Sequence, residues 1–230
     1  MQFVSRLLRS VLAGVYIGAG CSAYIITAYG FLENKSLAAI LFSFGIFAIS
    51  YCNLDLFTSR LSMLVTRPPE KLLGTILYLF NVWFGNFLGC YISAWCMNKT
   101  RYSELIHEAC HRISVNHIND TPAGLFVAGV GCTIMLYMAL RIYHENKTSV
   151  YGMIGLIIAS LAFICAGFEH TIAAGFFMIL GDCTFPERFS ALFPIALGNT
   201  IGALIPAAII ERTHIDELLE DPKEDQTKGV

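Results

Sequence analysis

Uncharged and mostly apolar runs recur six times along the chain, at Ser10–Leu32, Ser36–Leu54, Leu72–Asn98, Thr121–Leu140, Thr148–Phe168 continuing to Gly181, and Phe189–Ile210. About 20 residues suffice for one helical crossing of a bilayer. The pattern predicts an all-α integral membrane protein with six spans and both termini on one side. The longest polar connection, 99–118, carries Tyr102, Leu105, Ile106, Ala109 and Ile113 at helical spacing. That spacing predicts a short amphipathic helix on the outer surface.

Two runs are interrupted by ionisable residues. Glu169-His170 lies between an uncharged stretch, Thr148 to Phe168, and a second one, Thr171 to Gly181. Charges at membrane depth are costly and face a cavity or a partner. Gly167 and Gly175 flank the pair, so a broken fifth helix is expected, with a functional histidine at the break. Asp55, within Asn53-Leu54-Asp55-Leu56-Phe57-Thr58-Ser59-Arg60, suggests a second break at the end of span two. Asp55 as a plain helix end near the headgroups is the alternative.

The interruptions recur at a fixed spacing. Gly85-Asn86-Phe87-Leu88-Gly89 and Gly198-Asn199-Thr200-Ile201-Gly202 share one motif, and their asparagines stand 113 positions apart. Asp55 and Glu169 stand 114 apart. Spans one and four match more loosely, Ala13-Gly14 with Gly18 and Gly20 against Ala123-Gly124 with Gly129 and Gly131. The reading is an internal repeat, about 10–98 against 121–210, with three spans in each half. An odd number of spans inverts the second half, and interrupted helices in matching positions point to a transport site near the midplane.

Composition sharpens this picture. The chain is 56% hydrophobic and 14% charged, with mean hydropathy +0.62. A net charge of -2 offers no basic field for nucleic acid. Eight cysteines include no CxxC pair, and Cys21, Cys90 and Cys165 fall in apolar runs, so neither a disulfide framework nor a zinc site is expected. His107, Cys110 and His111 could approach a metal, but no third ligand is fixed, and a solvated helix face is the reading. The first run, preceded by Arg6 and Arg9, is too long for a signal-peptide core and is read as a retained helix. With the termini inside, the inner segments hold ten Lys and Arg (Arg6, Arg9, Arg60, Arg67, Lys71, Arg141, Lys147, Arg212, Lys223, Lys228). The outer segments hold five (Lys35, Lys99, Arg101, Arg112, Arg188), which favours cytoplasmic termini. One channel domain over 1–212 is expected, followed by an acidic cytoplasmic tail over 213–230.

Gly167-Phe168-Glu169-His170-Thr171-Ile172-Ala173, Leu56-Phe57-Thr58-Ser59 and the doubled Gly-Asn-x-x-Gly motif together resemble the formate/nitrite transporter family, which includes formate, nitrite and hydrosulfide channels. The resemblance runs from about Ser10 to Ile210. It implies an aquaporin-like protomer with interrupted helices 2 and 5, assembled as a homopentamer with one pore per protomer. By position, His170 is similar to the family's central pore histidine and Thr58 to the threonine of the span-two loop. Phe42, Ile46 and Phe163 fall where the family has apolar constrictions above and below the histidine. Leu56 and Phe57 resemble the apolar residues of that loop. Asn199, expected among the pore residues, resembles a polar residue buttressing the broken helices, and Asn86 and Glu169 are expected to support the break, Glu169 by holding backbone groups freed there. Two positions depart from the family. His117 stands where a vestibule lysine is usual, and Thr133 where span four usually has asparagine.

The expected function is passage of small monovalent weak-acid anions of the formate, nitrite or hydrosulfide class, assisted by protonation. The partners would be the anion, protons and the lipid bilayer, with no cofactor and no metal. The location would be a cell membrane, the inner membrane in a bacterium. The alternatives are a pore for a neutral solute or an ammonium-like species, and a non-transporting scaffold. An enzyme would bring more convergent polar chemistry than one Glu-His pair.

Overall fold

The computed structural model describes residues 2–145 and 150–220. Lys147, Thr148, and the tail from 221 onward, with Asp221, Lys223, Glu224, Asp225 and Lys228, lie outside the described residues.

The described residues form helices joined by short turns. Helix α1 (Gln2–Ile26) ends in a π-helical turn, Thr27–Phe31, kinked at Gly30. Helix α2 (Lys35–Tyr51) is followed by a break and two single-turn helices, α3 (Phe57–Arg60) and α4 (Met63–Thr66). A 3-10 turn, Pro69–Lys71, leads into α5 (Leu72–Met97). The polar connection is α6 (Ser103–Asn119), as its spacing predicts. Helix α7 (Pro122–Glu145) precedes α8 (Val150–Cys165), a second break, and α9 (Thr171–Leu180). Helix α10 (Phe185–Glu220) continues through Pro194 and Pro206 into the start of the acidic tail.

Four stretches are long and apolar enough to cross a membrane: Val4–Gly30, Pro69–Met97, Pro122–Glu145 and Phe185–Ile210. They correspond to spans one, three, four and six. Spans two and five are the ones built from shorter pieces. Helix α1 lies along α2 and α5, α7 lies along α8 and α10, and α2 meets α8 between the two sets. Ile17, Phe42, Ile46, Leu56, Leu136, Phe163, Ile172 and Phe176 belong to one buried apolar cluster at the centre. Phe80, Trp95, Phe189 and Ile209 are exposed on the outer faces.

The two breaks are built alike. At the first, Asn53 has a left-handed backbone (φ 50) and Leu54 N–H reaches back to Ile49 O at 2.9 Å. At the second, Gly167 is left-handed (φ 70) and Phe168 N–H reaches Phe163 O, again at 2.9 Å. Each is a left-handed helix stop that satisfies a carbonyl the helix would otherwise strand. All three positions of the second break stand 114 beyond their counterparts in the first.

Spans one and four correspond differently from the glycine match read in the sequence. A Cβ on Gly14 would overlap the carbonyl of Asn86, whereas one on Gly124 would meet only Asp120 and Thr121 at the start of α7. The α7 glycine that packs against Asn199 is Gly129. Small residues recur all along both helices, so the sequence alone offers several registers.

Candidate functional site

The break residues are held by two asparagines. Asn86, on α5, donates from Nδ2 to Ser10 O at 2.8 Å and Asp55 O at 2.9 Å, and its Oδ1 accepts from Phe57 N at 2.8 Å. Asn199, on α10, donates to Gly129 O and Glu169 O, both at 2.9 Å, and accepts from Thr171 N at 2.9 Å. Both side chains are fully buried. Each satisfies two backbone groups that the interrupted helix leaves open, and ties the break to a carbonyl of the neighbouring unbroken helix. Asn199 therefore buttresses the break, as Asn86 does, and is not exposed to a lumen.

This scaffold aims one imidazole at the centre. His170 caps α9, its Nδ1 accepting from Ala173 N at 3.3 Å. Its Nε2 lies 2.8 Å from Thr58 Oγ1, and both residues are buried. Because Nδ1 accepts, the ring proton of the neutral form sits on Nε2 and is donated to Thr58. A second proton, on Nδ1, would face the Ala173 N–H, so protonating His170 requires losing the cap. Leu56 occupies the position equivalent to His170 in the first break and is buried in the apolar cluster.

The Thr58–His170 contact lies between two cavities. One, of about 200 Å³, is lined by His170, Glu169, His117, Tyr24, Phe42 and Phe163 among others. The other, of about 270 Å³, is lined by Thr58, Ser50, Ser59, Arg60, Arg141 and His144 among others. Phe42 and Phe163 meet edge to face with ring centroids 6.1 Å apart, so both constrict the first cavity. Both line one cavity beside the histidine, whereas the resemblance implies apolar constrictions above and below it. Ile46 belongs to the surrounding apolar cluster, and Phe57, half-buried, contributes its backbone N–H to Asn86.

Glu169 has a different role from the one expected. Its backbone, not its carboxylate, joins the break, through Glu169 N donating to Ala128 O at 3.1 Å and Glu169 O accepting from Asn199. Its carboxylate meets His117 Nε2 at 2.8 Å, and His117 is 4% exposed against 27% for Glu169. Counting through the α6 loop thus reaches a residue that borders the cavity. Thr133 does not border it; its hydroxyl donates to Gly129 O at 3.2 Å and Asn199 O at 2.8 Å, tying α7 to α10.

Some residues of this arrangement carry no clear sequence signal. Tyr24 and Tyr29 line the first cavity from α1 and its terminal turn. At the other break, Asp55 pairs with Arg60 at 3.0 Å and Arg9 at 3.5 Å. Arg60 lies five positions after Asp55, a spacing that could have suggested the pair, whereas Arg9 comes from the far end of the chain. On α6, His107 faces Asn98 and Asp182, and His111 contacts Gly181 O, so both tie α6 to its neighbours.

The chain is similar to known transporters and channels. The chain is 27% identical over 232 residues to the uncharacterized transporter YwcJ of Bacillus subtilis, covering 88% of this chain and 86% of that one. It is 23% identical over 233 residues to the formate channel FocA of Escherichia coli, covering 84% and 80% respectively. Its fold matches a pentameric formate channel with formate bound at a TM-score of 0.85 and 20% identity, covering 93% of this chain and 98% of that one. Residues 1–212 match the formate/nitrite transporter family. The chain therefore belongs to the formate/nitrite transporter family, whose members are multi-pass membrane transporters and channels rather than enzymes.

Proposed function

We propose that this protein is a membrane channel for small monovalent weak-acid anions of the formate, nitrite or hydrosulfide class, with protonation-assisted passage past His170. The observation that carries the reading is the Thr58–His170 hydrogen bond, which stands between a cavity on each side. The names of its relatives, formate channels among them, support the substrate class.

The physical problem is desolvation. A bare anion must shed water to pass Phe42 and Phe163, at a cost of several kcal/mol. Pairing it with a proton removes most of that cost. His170 is poorly placed to supply the proton, since its Nδ1 is held by Ala173 N–H. It acts instead as a neutral donor, its Nε2–H turning from Thr58 to the passing carboxylate or its conjugate acid. Thr58, released, offers its own hydroxyl hydrogen on the far side. The proton then comes from the vestibule and travels with the substrate. The N-terminus of α9 adds a positive potential at the same point.

The protomers assemble as a homopentamer in the cell membrane, each with its own pore and with the termini in the cytoplasm. Six crossings place the two halves in inverted orientation, which fits the matching breaks.

Reconstitution in liposomes with an internal pH dye tests this reading. Formate, nitrite, hydrosulfide, lactate and ammonium are added in turn at outside pH between about 5 and 8. Internal acidification by one of the small acids supports it. Alkalinisation by ammonium, with no response to any acid, would replace it with a pore for a neutral species.

A further inference from the structure

We propose that His117 and Glu169 form a one-proton charge switch, which admits anions from the α6 face in acid and repels them in alkali. This rests on the anion-channel reading and adds the pair that gives it pH dependence and sidedness.

The two breaks carry one acid each at equivalent positions, and their partners differ in kind. Asp55 is paired with two guanidiniums, Arg60 and Arg9. Guanidiniums stay charged at any working pH, so that site keeps a net positive charge. Glu169 is paired with an imidazole, His117 Nε2, at 2.8 Å. Imidazole is the side chain whose ordinary titration spans pH 5 to 8. With a neutral ring the pair carries one negative charge beside the path to His170. One added proton brings it to zero, whichever member holds it. His117 Nδ1 is buried without a hydrogen-bond partner and is the open position for that proton.

Other titratable groups around the pair do not reproduce this behaviour. Tyr24 and Tyr29 face it from α1 and its terminal turn, and Cys132 from α7. Phenols and thiols are ordinarily neutral below pH 8. His170, on α9, is engaged at both nitrogens. In the opposite cavity His144 lies beside Arg141 and Glu145, at an exposed position where solvent screens its charge.

The test is labelled-formate exchange in right-side-out and inside-out membrane vesicles, with equal formate on both sides. The bath is stepped from about pH 8 to about pH 5 against a fixed interior. A tag in the 99–102 connection reports which vesicles present α6 to the bath. The acid's own protonation and the pH gradient are common to all variants, so rates are compared as ratios to His117→Lys and His117→Gln. By Coulomb's law at intermediate dielectric, one charge near the path changes anion occupancy roughly tenfold. With α6 facing the bath, the ratio of native protein to His117→Lys should rise from about one-tenth to about one as pH falls. The ratio to His117→Gln should rise from about one to about ten. With the Arg60 face exposed, both ratios should change by less than about twofold. Two variants of different charge keep the test usable if one misassembles. Flat ratios on the α6 face, or equal slopes on both faces, would overturn the switch. Failure of the native protein to exchange formate or nitrite at any pH would overturn the anion-channel reading and the switch with it.

Discussion

Asn86 and Asn199 make the same three hydrogen bonds in opposite halves of the chain. Each donates to a carbonyl of the neighbouring long helix and to the carbonyl of the break acid, Asp55 or Glu169. Each accepts from the N–H two residues after that acid, Phe57 or Thr171. A single side-chain type thus solves the same problem twice, that of backbone groups stranded where a helix stops inside the bilayer.

Replacing either asparagine with alanine should destabilise the protein strongly. Two backbone groups of the break lose their partner, at about 1–3 kcal/mol for each group left unsatisfied. Thermal unfolding in detergent should show a large drop for Asn86→Ala and for Asn199→Ala alike. A large effect at one site and none at the other would contradict their equivalence.

Thr58 should be judged by its hydroxyl rather than its shape. In Thr58→Val the His170 Nε2–H is left buried without an acceptor, a penalty of about 1–3 kcal/mol. Formate flux should fall roughly tenfold or more on that scale. Thr58→Ser keeps the acceptor and should retain most of the flux. Equal flux in Val and Ser variants would show that the hydrogen bond does not matter for passage.

The Phe42–Phe163 contact should set the size limit of the first cavity. Phe42→Leu removes the edge-to-face contact without deleting the whole side chain. Liposome uptake should show faster formate movement and a larger gain for lactate. Unchanged selectivity would place the size limit elsewhere along the pore.

Much of this arrangement was legible because the fold uses its polar residues sparingly. In runs this apolar, Asp55, Asn86, Glu169, His170 and Asn199 stand out, and their spacing near 114 exposes the repeat. The resemblance read from the sequence rests on motifs that include Asn86, Glu169, His170 and Asn199. What the sequence hid were relations fixed only by packing. The glycines of spans one and four could be aligned in more than one register, and contact with Asn86 and Asn199 selects among them. The carboxylate of Glu169 turns to His117, 52 positions earlier, rather than to the break, because Asn199 already satisfies the backbone there. Phe42 and Phe163 share one cavity because α2 and α8 meet side by side, which hydropathy cannot report.

The central claim is that substrate passes the imidazole of His170, and formate-driven acidification of liposomes carrying native protein or His170→Phe tests it most directly. The account predicts internal acidification with the native protein, and none with the variant although the oligomer still assembles. Undiminished acidification in the assembled variant would contradict it.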